Sequence, residues 1–139
     1  MFTSGRKAII DIILAMRIHI LVLDGVFDLG LAALTDTLSM ANQLADSLAL
    51  TPAPIEVTLV GVRRRVCTAQ GLTAPVVPVH RARNPDVVLV PAFGAKMPDT
   101  LAARLARADV ADAGVALRRW STAGALVGAA CTGTFLLAE

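Results

Sequence analysis

Tyrosine is absent, tryptophan occurs once, and aromatic residues make up only 4% of the 139 residues. The hydrophobic content is nevertheless 55%. A core must therefore be built from Ala, Val and Leu, the composition of a buried parallel sheet covered by helices. Cysteine is scarce too, with only Cys67 and Cys131. Neither has the spacing of a metal site, and His19 and His80 stand far apart, so no metal and no cofactor is expected. In the absence of a convincing secretory leader, the two thiols read as reduced and the protein as cytoplasmic. Charge is also sparse, at 17% with a net +2. That is too little to imply a nucleic-acid partner. The length suits one domain.

Long apolar runs are the exception to this scarcity, and mean hydropathy is +0.66. Residues Ser121–Ala138 carry no charge, which touches the lower limit of a membrane-spanning helix. Three glycines, three threonines and a serine break that run into strand plus helix, so no membrane segment is expected. Near the start, Arg6 and Lys7 precede Ala8–Ala15 in imitation of a leader. That run is short, is broken by Asp11 and leads directly into a core strand. Residues 1–15 therefore read as an extension, with Met16 the natural first residue.

The chain then alternates strand and helix signals. Arg17–Leu23 is an apolar β run in which His19 reads as a core or edge histidine. Asp24-Gly25 marks a turn. Leu31, Leu34, Leu38, Ala41, Ala45 and Leu48 recur at helical spacing, with Asp36, Asn42, Gln43 and Asp46 facing elsewhere. Thr51–Pro54 stops that helix. Ile55–Val60 is a second strand, followed by the basic cluster Arg63–Arg65, read as a solvated loop. Residues 66–79 suggest short strands or a hairpin at a sheet edge, because Pro75 and Pro78 bar a central position; Cys67 there reads as structural. Val87–Val90 is a buried strand ending in a loop with Gly94, and Pro98 fits a first helical turn. Leu101, Leu105 and Ala108 mark one face, with Arg104 and Arg107 solvated. Asp109 is placed to N-cap a helix over Val110–Trp120. Alternation of this kind implies an open, mostly parallel α/β sheet with helices on both faces. Ligands bind such sheets at the carboxyl ends of the strands, where Asp28, Gly94 and Cys131 all fall.

The last stretch, Ala125–Glu139, reads as a strand, a sharp turn at Cys131 and the start of a helix. A strand-to-helix turn can lift one side chain above the sheet edge as a nucleophile. Gly133 lets the backbone approach closely, and Ala129 and Ala130 keep the turn uncrowded. The plain alternative is a buried core cysteine, the commoner fate of a free thiol in an apolar strand.

Three segments, Leu23-Asp-Gly-Val-Phe-Asp28-Leu, Val88-Leu-Val-Pro-Ala-Phe-Gly94 and Ala130-Cys131-Thr-Gly-Thr-Phe-Leu-Leu-Ala-Glu139, resemble the ThiJ/PfpI superfamily, also called class I glutamine amidotransferase-like. The match runs over residues 17–139 and is nearest to the N-terminal domain of AraC-type transcriptional regulators. The resemblance implies a flavodoxin-like sandwich, self-associating, with the elbow cysteine at Cys131 and an acidic partner at Asp28. It also implies ligand-binding roles for Phe93, Gly94 and Thr132, with oxyanion-type backbone donors around Gly94 and Thr132. Asp24 is the rival acid, read as a turn residue.

The sequence departs from the family in three ways. Protease-like members carry His directly after the cysteine; here it is Thr132, which removes the Cys-His pair used in acyl transfer. Isonitrile hydratases of the superfamily do carry Cys-Thr-Gly with an Asp partner. Their Gly-Pro and Glu after the acid are replaced here by Leu29–Leu34, which favours the regulator branch. Family domains also continue beyond the elbow helix, so residues 16–139 read as an incomplete domain, from a truncated gene or a fragment. The expectation is a ligand-sensing domain that binds a small molecule without turnover and does not bind DNA by itself. The alternatives are a thiol enzyme resembling isonitrile hydratase, using Cys131 and Asp28, and a gene remnant without function.

Overall fold

A computed structural model describes residues 15–49 and 54–138. The expectations for the extension and for the helix stop at 51–53 lie outside the described residues. Strand β1 (Met16–Leu21) is followed by helix α1 (Asp28–Ser47) and strand β2 (Ile55–Gly61). Three two-residue strands come next, β3 (Val66–Cys67), β4 (Thr73–Ala74) and β5 (Val77–Pro78). Strand β6 (Val87–Val90) leads to helices α2 (Pro98–Leu105) and α3 (Ala108–Thr122). Strand β7 (Leu126–Ala129) then runs through a single 3₁₀ turn, Cys131–Gly133, into the short helix α4 (Thr134–Ala138).

Five strands form one parallel sheet in the order β5-β2-β1-β6-β7. Strand β6 is a continuous run of Val and Leu because both its faces are covered, and β1 beside it is apolar except for Arg17 and His19. Pro78 sits in the edge strand β5, where a missing N–H is tolerated. Strands β3 and β4 pair antiparallel as a separate small hairpin.

Each face of the sheet has its own core. On one, Ile20, Val22, Val26, Leu31, Val66 and Ala74 are buried together under α1. On the other, Leu21, Val60, Val88 and Val90 meet Val110, Ala113, Leu117 and Trp120 of α3. The fold is thus the expected α/β sandwich. Full burial of an aromatic of this size contributes about 1.5–3 kcal/mol or more. Trp120, 1% exposed, is therefore the main anchor of α3.

Two helix expectations change. Asp109 does not cap α3; the helix begins two residues earlier than expected, at Ala108 with Arg107 as N-cap, and Asp109 lies buried in its first turn. Arg107 Nε donates to Asp109 Oδ1 at 2.8 Å, so the carboxylate gains a cation and the positive helix end together. Asn42 does not face solvent. Its amide exchanges two hydrogen bonds with the backbone of Ile55, at 2.8 and 2.9 Å, tying α1 to the start of β2. The apolar stripe of α1 is covered at Leu31, Leu34 and Leu38, whereas Met40, Leu44 and Leu48 lie exposed.

Candidate functional site

Strand β7 ends beside β6, with Ala130 N–H donating to Val90 O at 2.9 Å. The next residue, Cys131, adopts φ +53°, the left-handed region. For a residue with a Cβ that conformation costs of order 1–3 kcal/mol, and here it swings the thiol onto the open surface. Two bonds secure the turn: Gly133 N–H to Ala130 O at 3.0 Å and Thr134 Oγ1 to Cys131 O at 2.7 Å. Gly133 is required by space. A Cβ there would stand 2.6 Å from the carbonyl oxygens of both Val90 and Pro91. The strand-to-helix turn read from the sequence is present, and the core alternative for Cys131 is not.

Thr132 works as a clamp between the turn and the loop after β6. Its hydroxyl accepts from Phe93 N–H at 2.9 Å and lies 3.2 Å from Phe93 O as a donor. Phe93 and Thr132, expected to contact ligand, are thereby brought together, with the Phe93 side chain buried in the core. Gly94 N–H donates to Gly25 O at 2.7 Å. The backbone N–H groups of Phe93 and Gly94 are both engaged within the protein.

The loop after β1 is stitched to its neighbours on both sides. Phe27 N–H donates to Ala92 O at 2.8 Å, and Val26 forms isolated bridges to both Phe93 and Thr68. Gly25 N–H donates to Cys67 O at 2.7 Å, and Ala69 N–H to Val26 O at 2.9 Å. Asp28 opens α1; its Oδ2 accepts from Gln70 N–H at 3.1 Å. Its Oδ1 is buried and has no hydrogen-bond partner among the described residues. Asp28 and Cys131 share the carboxyl edge of the sheet, with the loop after β6 between them, since β6 lies between β1 and β7.

Asp24 does more than turn the chain. Its Oδ1 accepts from Cys67 N–H at 2.8 Å, and its Oδ2 pairs with Arg107 at 3.5 Å. Arg104 donates to Asp24 O and lies over Gly25, whose φ of +76° would be strained for a residue with a Cβ. Arg104 and Arg107 are therefore not simply solvated, as expected from their pattern, but clasp the first loop. The bond to Asp109, with further help from Asp24, raises the Arg107 guanidinium above its ordinary pKa against the opposing cost of burial. Arg104 lies in the last turn of α2 and Arg107 is the N-cap of α3, so no shared helical face in the sequence signalled this clasp. Cys67, read as structural, has an exposed side chain; its backbone does the structural work. Arg63–Arg65 are exposed as expected, with Arg63 paired to Asp112 at 2.7 Å.

Four clefts stand out among the described residues, and Cys131 lines none of these. One of about 350 Å³ lies between α3, β7 and α4. Another of about 420 Å³ adjoins Asp24, Arg63, Arg65 and Arg107. No group of His, Cys, Asp and Glu among the described residues could hold a metal ion.

No family model and no curated protein matches the chain. Solved structures do. An AraC family transcriptional regulator from Pseudomonas putida superposes with a TM-score of 0.64 at 20% identity, over 88% of this chain and 59% of that one. A candidate transcriptional regulator from Vibrio parahaemolyticus gives 0.66 at 14% identity, over 89% and 60%. A candidate protease I from Bacteroides thetaiotaomicron gives 0.57 at 12% identity, over 87% and 66%. The fold is the flavodoxin-like one they share. It agrees with the superfamily that the sequence motifs resemble. The chain spans about three-fifths of the length of the two regulators. No helix among the described residues is long and apolar enough to cross a membrane.

Proposed function

We propose that residues 16–139 are an amidotransferase-like sensing domain of an AraC-type regulator, and that residues 1–15 stand outside it. The domain binds a small molecule beside Cys131, with Phe93, Gly94 and Thr132 shaping the site, and does not turn it over. The observation that carries this reading is the state of the backbone donors in the loop after β6. An oxyanion hole needs N–H groups free to meet developing charge. The N–H groups of Phe93 and Gly94 are spent on Thr132 Oγ1 and Gly25 O. Thr132, in the position where related hydrolases carry an imidazole, serves as a clamp instead. DNA contact belongs to another module, since a net charge of +2 offers little phosphate attraction.

One observation favours a second reading, a thiol enzyme. Cys131 is held in a strained conformation with its thiol exposed, and Asp28 Oδ1 lies unpartnered on the same sheet edge. Strain of this kind gathers at reactive positions. Assays of isonitrile hydration and of ester and amide hydrolysis separate the two. The sensing reading expects background rates from both the wild type and Cys131→Ala. Turnover far above background that is lost in Cys131→Ala would establish the enzyme.

A further inference from the structure

A second cleft lies away from the elbow, against the amino-terminal halves of β1 and β2. Its floor follows from strand register. Arg17 pairs with Glu56 and His19 with Thr58, so these four residues form two adjacent cross-strand pairs on one face of the sheet. The loop after β5 supplies Arg81, Ala82 and Arg83, and Val77 completes the wall of a cleft of about 180 Å³. The charge is unbalanced. Arg17 is paired with Asp86 at 3.5 Å, and Glu56 is the single acid in the lining. Arg81 and Arg83 are exposed and take part in no ion pair among the described residues.

The floor holds an unexplained polar group. His19 is 3% exposed, and its Nδ1 is buried with no hydrogen-bond partner among the described residues. Trp120 of α3 packs against the ring edge-on, with centroids 5.4 Å apart. A buried polar atom left unsatisfied is uncommon in a native fold and calls for a partner. Arginines beside such a group point to an acceptor carrying negative charge, because guanidinium groups match the oxygens of carboxylates and phosphates. The volume admits inorganic phosphate or a short dicarboxylate and is too small for a nucleotide.

We propose that this cleft binds a small dianionic oxyanion, with Arg81 and Arg83 on its oxygens and the His19 ring at the floor. The site is independent of the elbow and of the function proposed for it. Trp120 makes it observable, since it is the only tryptophan and the chain has no tyrosine. The full chain is titrated with phosphate and, separately, with succinate, at ionic strength held constant with sodium chloride, while Trp120 emission and the thermal midpoint are followed. At least one anion is expected to change the emission saturably and, at tenfold excess over its Kd, to raise the midpoint by about 5 °C. The anion that saturates identifies the source as phosphate or carboxylate. Arg81→Ala/Arg83→Ala, on exposed positions, should weaken binding at least tenfold with the unliganded midpoint unchanged. His19→Phe should weaken it while keeping the contact with Trp120, and Cys131→Ala should leave it intact. The proposal fails if neither anion saturates, if chloride alone reproduces the effect, or if the double arginine variant binds like wild type.

Discussion

His19 shows how one residue can answer to two environments. Its neighbours are Trp120 from α3, Arg17 on its own strand, Glu56 and Thr58 on β2, and Arg81 and Arg83 from the loop after β5. Burial lowers its pKa from the ordinary 6.5, Arg17 lowers it further, and Glu56 opposes them. The unfolded chain therefore holds a proton on His19 more readily than the folded protein does. Where the unfolded state binds more protons, stability rises with pH. The contribution of His19 is whole above the ordinary value and is lost as pH falls below it toward the lowered folded value. Urea midpoints at about pH 7.5 and pH 5.5 should show this loss in buffer without phosphate or carboxylates, and His19→Phe should reduce it. An equal loss in wild type and His19→Phe would remove His19 as its source.

At the scale of elements, the decisive feature is the turn from β7 into α4. A left-handed cysteine is affordable only because the residues around it are over-determined: Thr132 is bonded to Phe93, Thr134 to Cys131, and Gly133 lies against the end of β6. Gly133→Ala would push a methyl group into two backbone carbonyls, which cannot yield as a flexible side-chain tip does. The expected cost is about 1–3 kcal/mol, the range for overpacking a tight site. Denaturant unfolding measures it. A change below about 0.5 kcal/mol, typical of neutral surface positions, would mean that the elbow is not as tightly seated on β6 as its geometry indicates. The first loop is secured differently, by Arg104 and Arg107 of the α2–α3 region reaching across to Asp24.

For the whole molecule, the sheet ends at β7, which pairs only with β6 among the described residues. Leu126 at that edge is 72% exposed, and Phe135 and Leu137 lie exposed nearby on α4. Beside them runs the cleft lined by Leu117, Val127, Leu136 and Leu137. An open strand edge next to an apolar groove favours association. The self-association expected from the sequence resemblance is therefore assigned, as a proposal, to this edge. Size measurement over a range of concentrations should show a mass increasing with concentration, and Leu126→Lys should shift the distribution toward the monomer. A wild-type chain that stays monomeric throughout, or a variant that associates equally well, would place the contact elsewhere or abolish it.

Much of this was legible in the sequence because it depends on local pattern. The continuous Val and Leu run of β6 and the apolar run of β1, interrupted by Arg17 and His19, specify buried strands, and Pro78 of β5 assigns it to an edge. The Cys-Thr-Gly string after a small apolar strand specifies the elbow, and its glycine is needed for the reason the sequence suggests. Other features were decided only by tertiary structure. Whether Arg104 and Arg107 are solvated or clasp Asp24 depends on where α2 and α3 come to rest relative to a loop about 80 residues earlier. Whether Thr132 lines a site or locks Phe93 depends on the spacing of two loops 39 residues apart. Asn42 sits among polar positions of α1 yet meets Ile55 because the strand returns beside the helix. Hydrophobic periodicity fixes which face of an element is buried. It carries no record of which distant backbone group a polar side chain will meet, and that is set by how the packed elements finally align.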